Sequence, residues 1–197
     1  MDTLISILNH HNLNYVPINN SKSLDKIVRL FDEQLEFEAT KAIEYFYKGV
    51  YYHHITKNYN EMEKYYKMAI ALGHSSAMNN LAHYHEHITK NYNEMEKYYK
   101  MAIDLGHSIA MNNLAHYHHQ ITKNDKKMEK YYKMAIDLGD SIAMTNMGSY
   151  HQINKNDNDM EKYYKMAIDL GNRYAHDSLV LYYKDKDMKL LKSGNII

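Results

Sequence analysis

Cysteine and tryptophan are absent from the 197 residues, proline occurs once, at Pro17, and arginine only twice. The missing cysteine excludes disulfides, thiolate zinc sites and cysteine nucleophiles, and leaves the compartment open. Net charge is also missing: 24 Lys and Arg cancel 24 Asp and Glu, so no overall field draws nucleic acid or an anionic membrane. No stretch approaches the ~18 consecutive apolar residues of a membrane helix. Met1 to Asn9 carries Asp2 and only a short apolar run, without the basic start of a signal peptide. A soluble chain in the cytoplasm is expected, with neither nucleic acid nor membrane among its partners. The length suits one domain or an elongated array. What is abundant is 22 Lys, 21 Tyr, 20 Asn and 14 His. This bias points to an A+T-rich genome, such as that of a giant virus or protist, which would make the cytoplasm that of a host if the source is viral.

Self-similarity dominates the rest. The nonapeptide Met-Glu-Lys-Tyr-Tyr-Lys-Met-Ala-Ile begins at Met62, Met95, Met128 and Met160, at spacings of 33, 33 and 32 residues. Residues 58–90 and 91–123 differ at four of 33 positions, which recent duplication explains.

Each unit reads as two helices. From Asn58 to Leu72, Tyr59, Met62, Tyr66, Ala69 and Ile70 recur at helical spacing, and Gly73 stands where a left-handed C-cap is wanted, as do Gly106, Gly139 and Gly171. Glu63/Lys67, Glu96/Lys100, Glu129/Lys133 and Glu161/Lys165 form i,i+4 pairs on a solvated face. The companion helix is expected to start with Ser75, Ser108, Ser141 or Asn172 as N-cap. Advancing ~100° per residue puts Ala77, Met78, Leu81, Ala82, His85 and Ile88 in one buried arc and Asn79, His83 and Glu86 opposite, with Asn80 and His87 on a flank. Small Ala82 and Ala115, with Gly49 and Gly148 in the same slot, allow close helix approach. One such pair cannot bury its faces alone, whereas stacked neighbours can.

These residues resemble Sel1-like repeats, relatives of tetratricopeptide repeats. The Sel1-like pattern of Ala-x-x-Asn-Leu-Gly, an aromatic pair and a terminal Gly-Asn is matched by Ala77, Asn80 and Leu81, by Tyr65 and Tyr66, by Ala69, and by Gly171-Asn172. The 33-residue period is nearer the tetratricopeptide length, Met62 fills a slot usually small, and His85, His118 and His151 fill one usually Tyr. Either subfamily implies an all-α fold, an α-solenoid of stacked antiparallel helix pairs. The organisation read from this is an N-terminal segment and capping helix over 1–39, about four repeats over 40–184, and a C-terminal cap and tail over 185–197. Within these, Ser23 to Glu36 patterns as an amphipathic cap, Arg173 to Lys184 as a degenerate first helix and Asp187 to Lys192 as a shortened second.

Catalytic motifs are missing. His85-Glu86-His87 is not His-Glu-x-x-His, Gly148-Ser149-Tyr150 lacks a nucleophile elbow, and Asn154 to Asp159 lacks a calcium loop's central glycine. No enzyme activity and no cofactor are expected. His83/His87 and His116/His119 have spacings that stacked helices bring toward a zinc ion, but a fourth ligand is not apparent, so no metal residue is assigned. A metal-binding or histidine-rich pH-sensitive module stands as one alternative reading, a structural spacer as another. His85, His118 and His151 fall on the core side, which makes acid costly.

The leading expectation is a scaffold that holds a protein or extended peptide on its concave face. In some tetratricopeptide superhelices an asparagine ladder clamps a peptide backbone, and the resemblance implies Asn80, Asn113 and Asn146 for that role. A side-chain amide offers donor and acceptor together, matching any peptide unit. Asn79, Asn112, His83, His116, Tyr84, Tyr117 and Tyr150 complete the candidate set. Asparagine here also suits a bond to a neighbouring helix, and the sequence leaves both roles open.

Overall fold

A computed structural model describes residues 41–192. They form nine helices, with no strand among the described residues: α1 Lys41–Tyr51, α2 Tyr59–Ala71, α3 Ser75–Tyr84, α4 Tyr92–Asp104, α5 Ser108–Gln120, α6 Asp125–Asp137, α7 Ser141–Ile153, α8 Asp157–Asp169 and α9 Arg173–Lys192. The chain divides into two compact units, the first ending at His107 and the second starting at Ser108. Unit 1 holds α1–α4 and unit 2 holds α5–α9. The amphipathic stretch Ser23 to Glu36 and the segment 1–39 lie outside the described residues.

Two kinds of joint make the pattern. At the first, Gly73, Gly106, Gly139 and Gly171 take φ of 75–80°. The glycine N–H and the next residue's N–H return to the helix, as in Gly73 N to Ile70 O and His74 N to Ala69 O, closing a Schellman motif. The residue after the glycine then caps the following helix: His74 Nδ1 accepts from Ala77 N, Asp140 Oδ1 from Ile142 N and Ala143 N, and Asn172 Oδ1 from Ala175 N. The expected cap at Asn172 is in place, whereas those at Ser75 and Ser141 belong one residue earlier. The reason is economy of chain: one residue closes one helix with its backbone and opens the next with its side chain.

At the second joint Lys57, Lys90, Lys123 and Lys155 adopt φ of 52–56°, and Asn58, Asn91, Asn124 and Asn156 cap α2, α4, α6 and α8 by accepting from the N–H three residues on. Where the Lys-Asn pair is missing the helix does not stop. The chain after Tyr183 has no such pair, and α9 runs unbroken through Lys192. The expected break between Arg173–Lys184 and Asp187–Lys192 is thereby corrected.

The tightest pairing is not the one the nonapeptide suggests. Each nonapeptide helix packs most closely on the helix before it, giving hairpins α1–α2 and α3–α4 in unit 1 and α5–α6 and α7–α8 in unit 2. Gly49 and Gly148 show why. A Cβ on Gly49 would run into the ring of Tyr66, and one on Gly148 would lie 2.7 Å from a ring carbon of Tyr164, so the buried tyrosine ring rests on bare backbone. In α9 the same register position is Val180, and α9 lies against α8 through Ala175 and Leu179.

The period itself has a structural meaning. In the two copies of unit 1 the hairpin's first helix ends in a π turn, Tyr52–Thr56 and His85–Thr89, which absorbs one extra residue. In α5 the wide bond persists as Thr122 N to Tyr117 O. After α7, Asn154 N returns to Tyr150 O at ordinary α spacing, and this is the copy whose repeat is 32 residues long. Ile88, expected in the buried arc, is 53% exposed, and Glu86, expected opposite, is buried. Asn79 and Asn112 are buried too, because the neighbouring helix closes over more of the α3 and α5 faces than a single-helix wheel allows for.

Candidate binding surface

The buried tyrosine hydroxyls organise the polar groups of each unit. A phenol taken out of water needs a partner. Tyr66 O–H is met by Asn80, whose amide donates to it at 3.3 Å, and Tyr99 donates to Glu86 Oε2 at 2.8 Å. In unit 2, Tyr164 lies 3.0 Å from Ser149 Oγ and donates to Gln152 Oε1 at 2.8 Å, and Asn146 serves Tyr132. Burial pushes the Tyr132 phenol up to about 12, so it acts as a neutral hydroxyl.

The candidate residues fall into three groups. Asn79, Asn112, Tyr84 and Tyr117 are buried. Asn80, Asn113, Asn146 and Tyr150 are half-buried, and His83 and His116 are exposed. Asn80 accepts from the Asn79 amide at 3.4 Å while bonding Tyr66, and Asn146 donates to Asn112 Oδ1 at 2.9 Å. Tyr150 donates to Asp125 Oδ2 at 3.2 Å. The asparagine amides thus hold neighbouring helices together within each unit, with one edge of each side chain still at the surface.

A second periodic feature is not visible in a helical wheel. Tyr52, His85, His118 and His151 stack nearly parallel on Tyr65, Tyr98, Tyr131 and Tyr163, at 5.3, 5.8, 5.8 and 5.5 Å between ring centres. On each tyrosine a lysine ammonium, from Lys64, Lys97, Lys130 or Lys162, reaches over the ring at 4.9–5.4 Å. His85 and His118 are buried, His151 half-buried. His85 Nδ1 meets Thr89 Oγ1 at 3.0 Å, and burial lowers its pKa, so the imidazole is a neutral stacking plate. The signal in the sequence is the first tyrosine of each Tyr-Tyr pair, which lies between core and surface.

A histidine cluster in unit 1 brings His53 and His54, which the sequence reading did not single out, beside His83 of the spaced pair His83/His87. His53 and His54 have ring centres 4.2 Å apart, as do His83 and His87. His53 also meets Tyr84, edge-on at 6.0 Å. No group of three or more His, Asp or Glu among the described residues is arranged to hold a metal ion. No described helix is long and apolar enough to cross a membrane.

No family model matches the chain, and no curated protein matches it in sequence. Solved structures do match. A Sel1 repeat protein from Oxalobacter formigenes superposes with a TM-score of 0.56 at 19% identity, over 83% of this chain and 79% of that one. The protein c5321, a protective antigen of uropathogenic Escherichia coli with an SLR fold, gives 0.56 at 18% identity, over 80% of this chain. The chain covers 40% of the length of c5321. Helix pairs closed by glycine, small residues under buried aromatic rings and these two superpositions together give this chain the fold of Sel1-like repeat proteins, all-α and built from stacked helix pairs.

Proposed function

We propose that the chain is a non-catalytic scaffold that binds a protein or extended peptide through Asn80 in unit 1 and through Asn113 and Asn146 in unit 2. The carrying observation is that this amide recurs at one register position of α3, α5 and α7, half-buried each time, with exposed His83 and His116 three residues on. Backbone recognition by amides is independent of ligand sequence and suits a repeated surface. The buried members of the candidate set, Asn79 and Tyr84 in unit 1 and Asn112 and Tyr117 in unit 2, belong to the packing of their own units. Action in the cytoplasm belongs to the same proposal.

Screening the purified chain against an array of extended peptides tests this reading, with His83→Ala/His116→Ala as the surface variant and Asn113→Ala as a half-buried one. Weaker peptide binding at unchanged unfolding midpoint supports it. Absence of any peptide binding returns the chain to the structural-spacer reading. The histidine-rich reading is favoured by a separate observation, the cluster at His53, His54, His83 and His87.

A further inference from the structure

In unit 1 the two hairpins meet through histidine at both ends of their junction. At one end His53 and His54, on the π turn after α1, approach His83 of the second hairpin, whose ring centre lies 4.2 Å from that of His87. At the other end His74, the cap of α3, stacks on Phe46 of α1 at 4.5 Å and 14°. We propose that mild acid undocks the α1–α2 hairpin from the α3–α4 hairpin while the equivalent junction of unit 2 stays closed.

The groups around the cluster explain its response. His53 faces His54 and Lys57 on its own turn, Tyr59 and Tyr66 on α2, and His83 and Tyr84 on α3. His54 faces Lys57 and His83. Beside His87 lies Glu86, 3.7 Å away, and that carboxylate is already bonded to Tyr99. Protonated His53 and His54 therefore meet cations and phenols rather than a carboxylate. For His74 a proton also removes a bond: its Nδ1 is the acceptor that caps α3, at 3.3 Å from Ala77 N, and an imidazolium has no acceptor. Its charged neighbour is His107, again a histidine.

Unit 2 carries different residues at the same places. The cap is Asp140, whose carboxyl accepts from Ile142 N and Ala143 N and, unlike an imidazole, keeps an acceptor oxygen whether or not it carries a proton. Gln120 stands for His54 and Ser149 for His83, and the position of His87 is deleted with the π turn. The histidine kept at these places, His119, meets Tyr150 edge-on just as His53 meets Tyr84, but a carboxylate, Asp125, lies 3.7 Å from its Nδ1 where unit 1 has Tyr59. His118 and His151 stack on tyrosines inside their own hairpins, as His85 does in unit 1. Unit 2 is thus an internal control with the same order of hairpins.

Burial, with the charges of its neighbours second, holds His53 down to about 3 and His54 and His74 down to about 4. On undocking they regain an ordinary value near ~6.5. Fewer protons are bound docked than undocked, so the docked state weakens as pH falls below ~6.5, by on the order of 30-fold at pH 5 for each histidine released.

Hydrogen exchange read by mass spectrometry on the full chain tests this at pH 7.5 and 5.0, comparing segments 41–57 and 75–90 with 108–120 and 141–153 at each pH. The ratio of protection between the two sets removes the intrinsic pH dependence of exchange. A drop of tenfold or more in the unit 1 ratio at pH 5.0 is expected. An unchanged ratio overturns the proposal, whether both units loosen together or neither does. The variant His54→Gln/Tyr59→Asp/His74→Asp/His83→Ser copies unit 2 at these places and should abolish the drop. A drop that persists in the folded variant also overturns the assignment, and if this variant does not fold, His74→Asn alone should at least halve the wild-type drop.

Discussion

Tyr99 donates its hydroxyl to the carboxylate of Glu86 at 2.8 Å inside the α3–α4 hairpin, with both side chains buried. The equivalent acceptor for Tyr164 is Gln152. The contact needs an acceptor at this place rather than a charge.

Glu86→Gln should therefore be near neutral, whereas Glu86→Ala removes the acceptor of a buried hydroxyl and should cost about 1–3 kcal/mol. Urea unfolding midpoints of the two variants decide it. Equal effects would show that the carboxylate is held by solvent rather than by Tyr99.

Gly148→Ala is expected to destabilise despite alanine's better helix propensity. Its Cβ would fall 2.7 Å from the Tyr164 ring, which Ser149 and Gln152 hold by its hydroxyl. Overpacking typically costs about 1–3 kcal/mol against a propensity gain of about 1, so a net loss of up to about 2 kcal/mol should appear in denaturant unfolding.

The lysine joints predict the opposite sign. Lys123 holds φ of 52°, a conformation in which its Cβ crowds the backbone. Lys123→Gly relieves that crowding and should raise stability by about 0.5–1 kcal/mol, while Lys123→Val should lower it. A raised unfolding midpoint with unchanged denaturant slope is the expected result.

Global stability should also follow pH. His53, His54, His74 and His85 all have pKa values lowered in the folded chain, burial being the largest cause in each. The unfolded chain binds more protons below ~6.5, so stability is full above that pH and declines toward pH 4, by at most about 1.4 kcal/mol per pH unit for each group. Partial exposure of His53, His54 and His74 to solvent brings their share below that ceiling. A thermal midpoint lower at pH 5.5 than at 7.5 is expected, and equal midpoints would show that these histidines are as easily charged folded as unfolded.

The helices and their period were legible in the amino-acid order alone. Four nonapeptides, four glycines and the Met62, Tyr66 and Ala69 stripe are local signals, and each glycine reappears with positive φ, each stripe residue as core. The i,i+4 pairs Glu63–Lys67, Glu96–Lys100, Glu129–Lys133 and Glu161–Lys165 form as spaced, because one helix suffices to make them. Of the candidate surface, the exposure of His83 and His116 could be read on the same ground.

Which helix pairs with which, and what a given polar residue does there, came from packing between segments. Gly49 and Gly148 choose their partners through the rings of Tyr66 and Tyr164, a contact that a wheel drawn for either helix does not contain. Glu86 turns inward and Ile88 outward because Tyr99 on the facing helix takes the Glu86 carboxylate inside the hairpin, a contact that no local preference encodes. Asn80 finds Tyr66, Asn146 finds Asn112 and His53 finds Tyr84 across packed helices. Hydrophobic periodicity fixes which face turns inward, but the partner of a buried amide or imidazole is set by the atoms that the neighbouring helix brings to it.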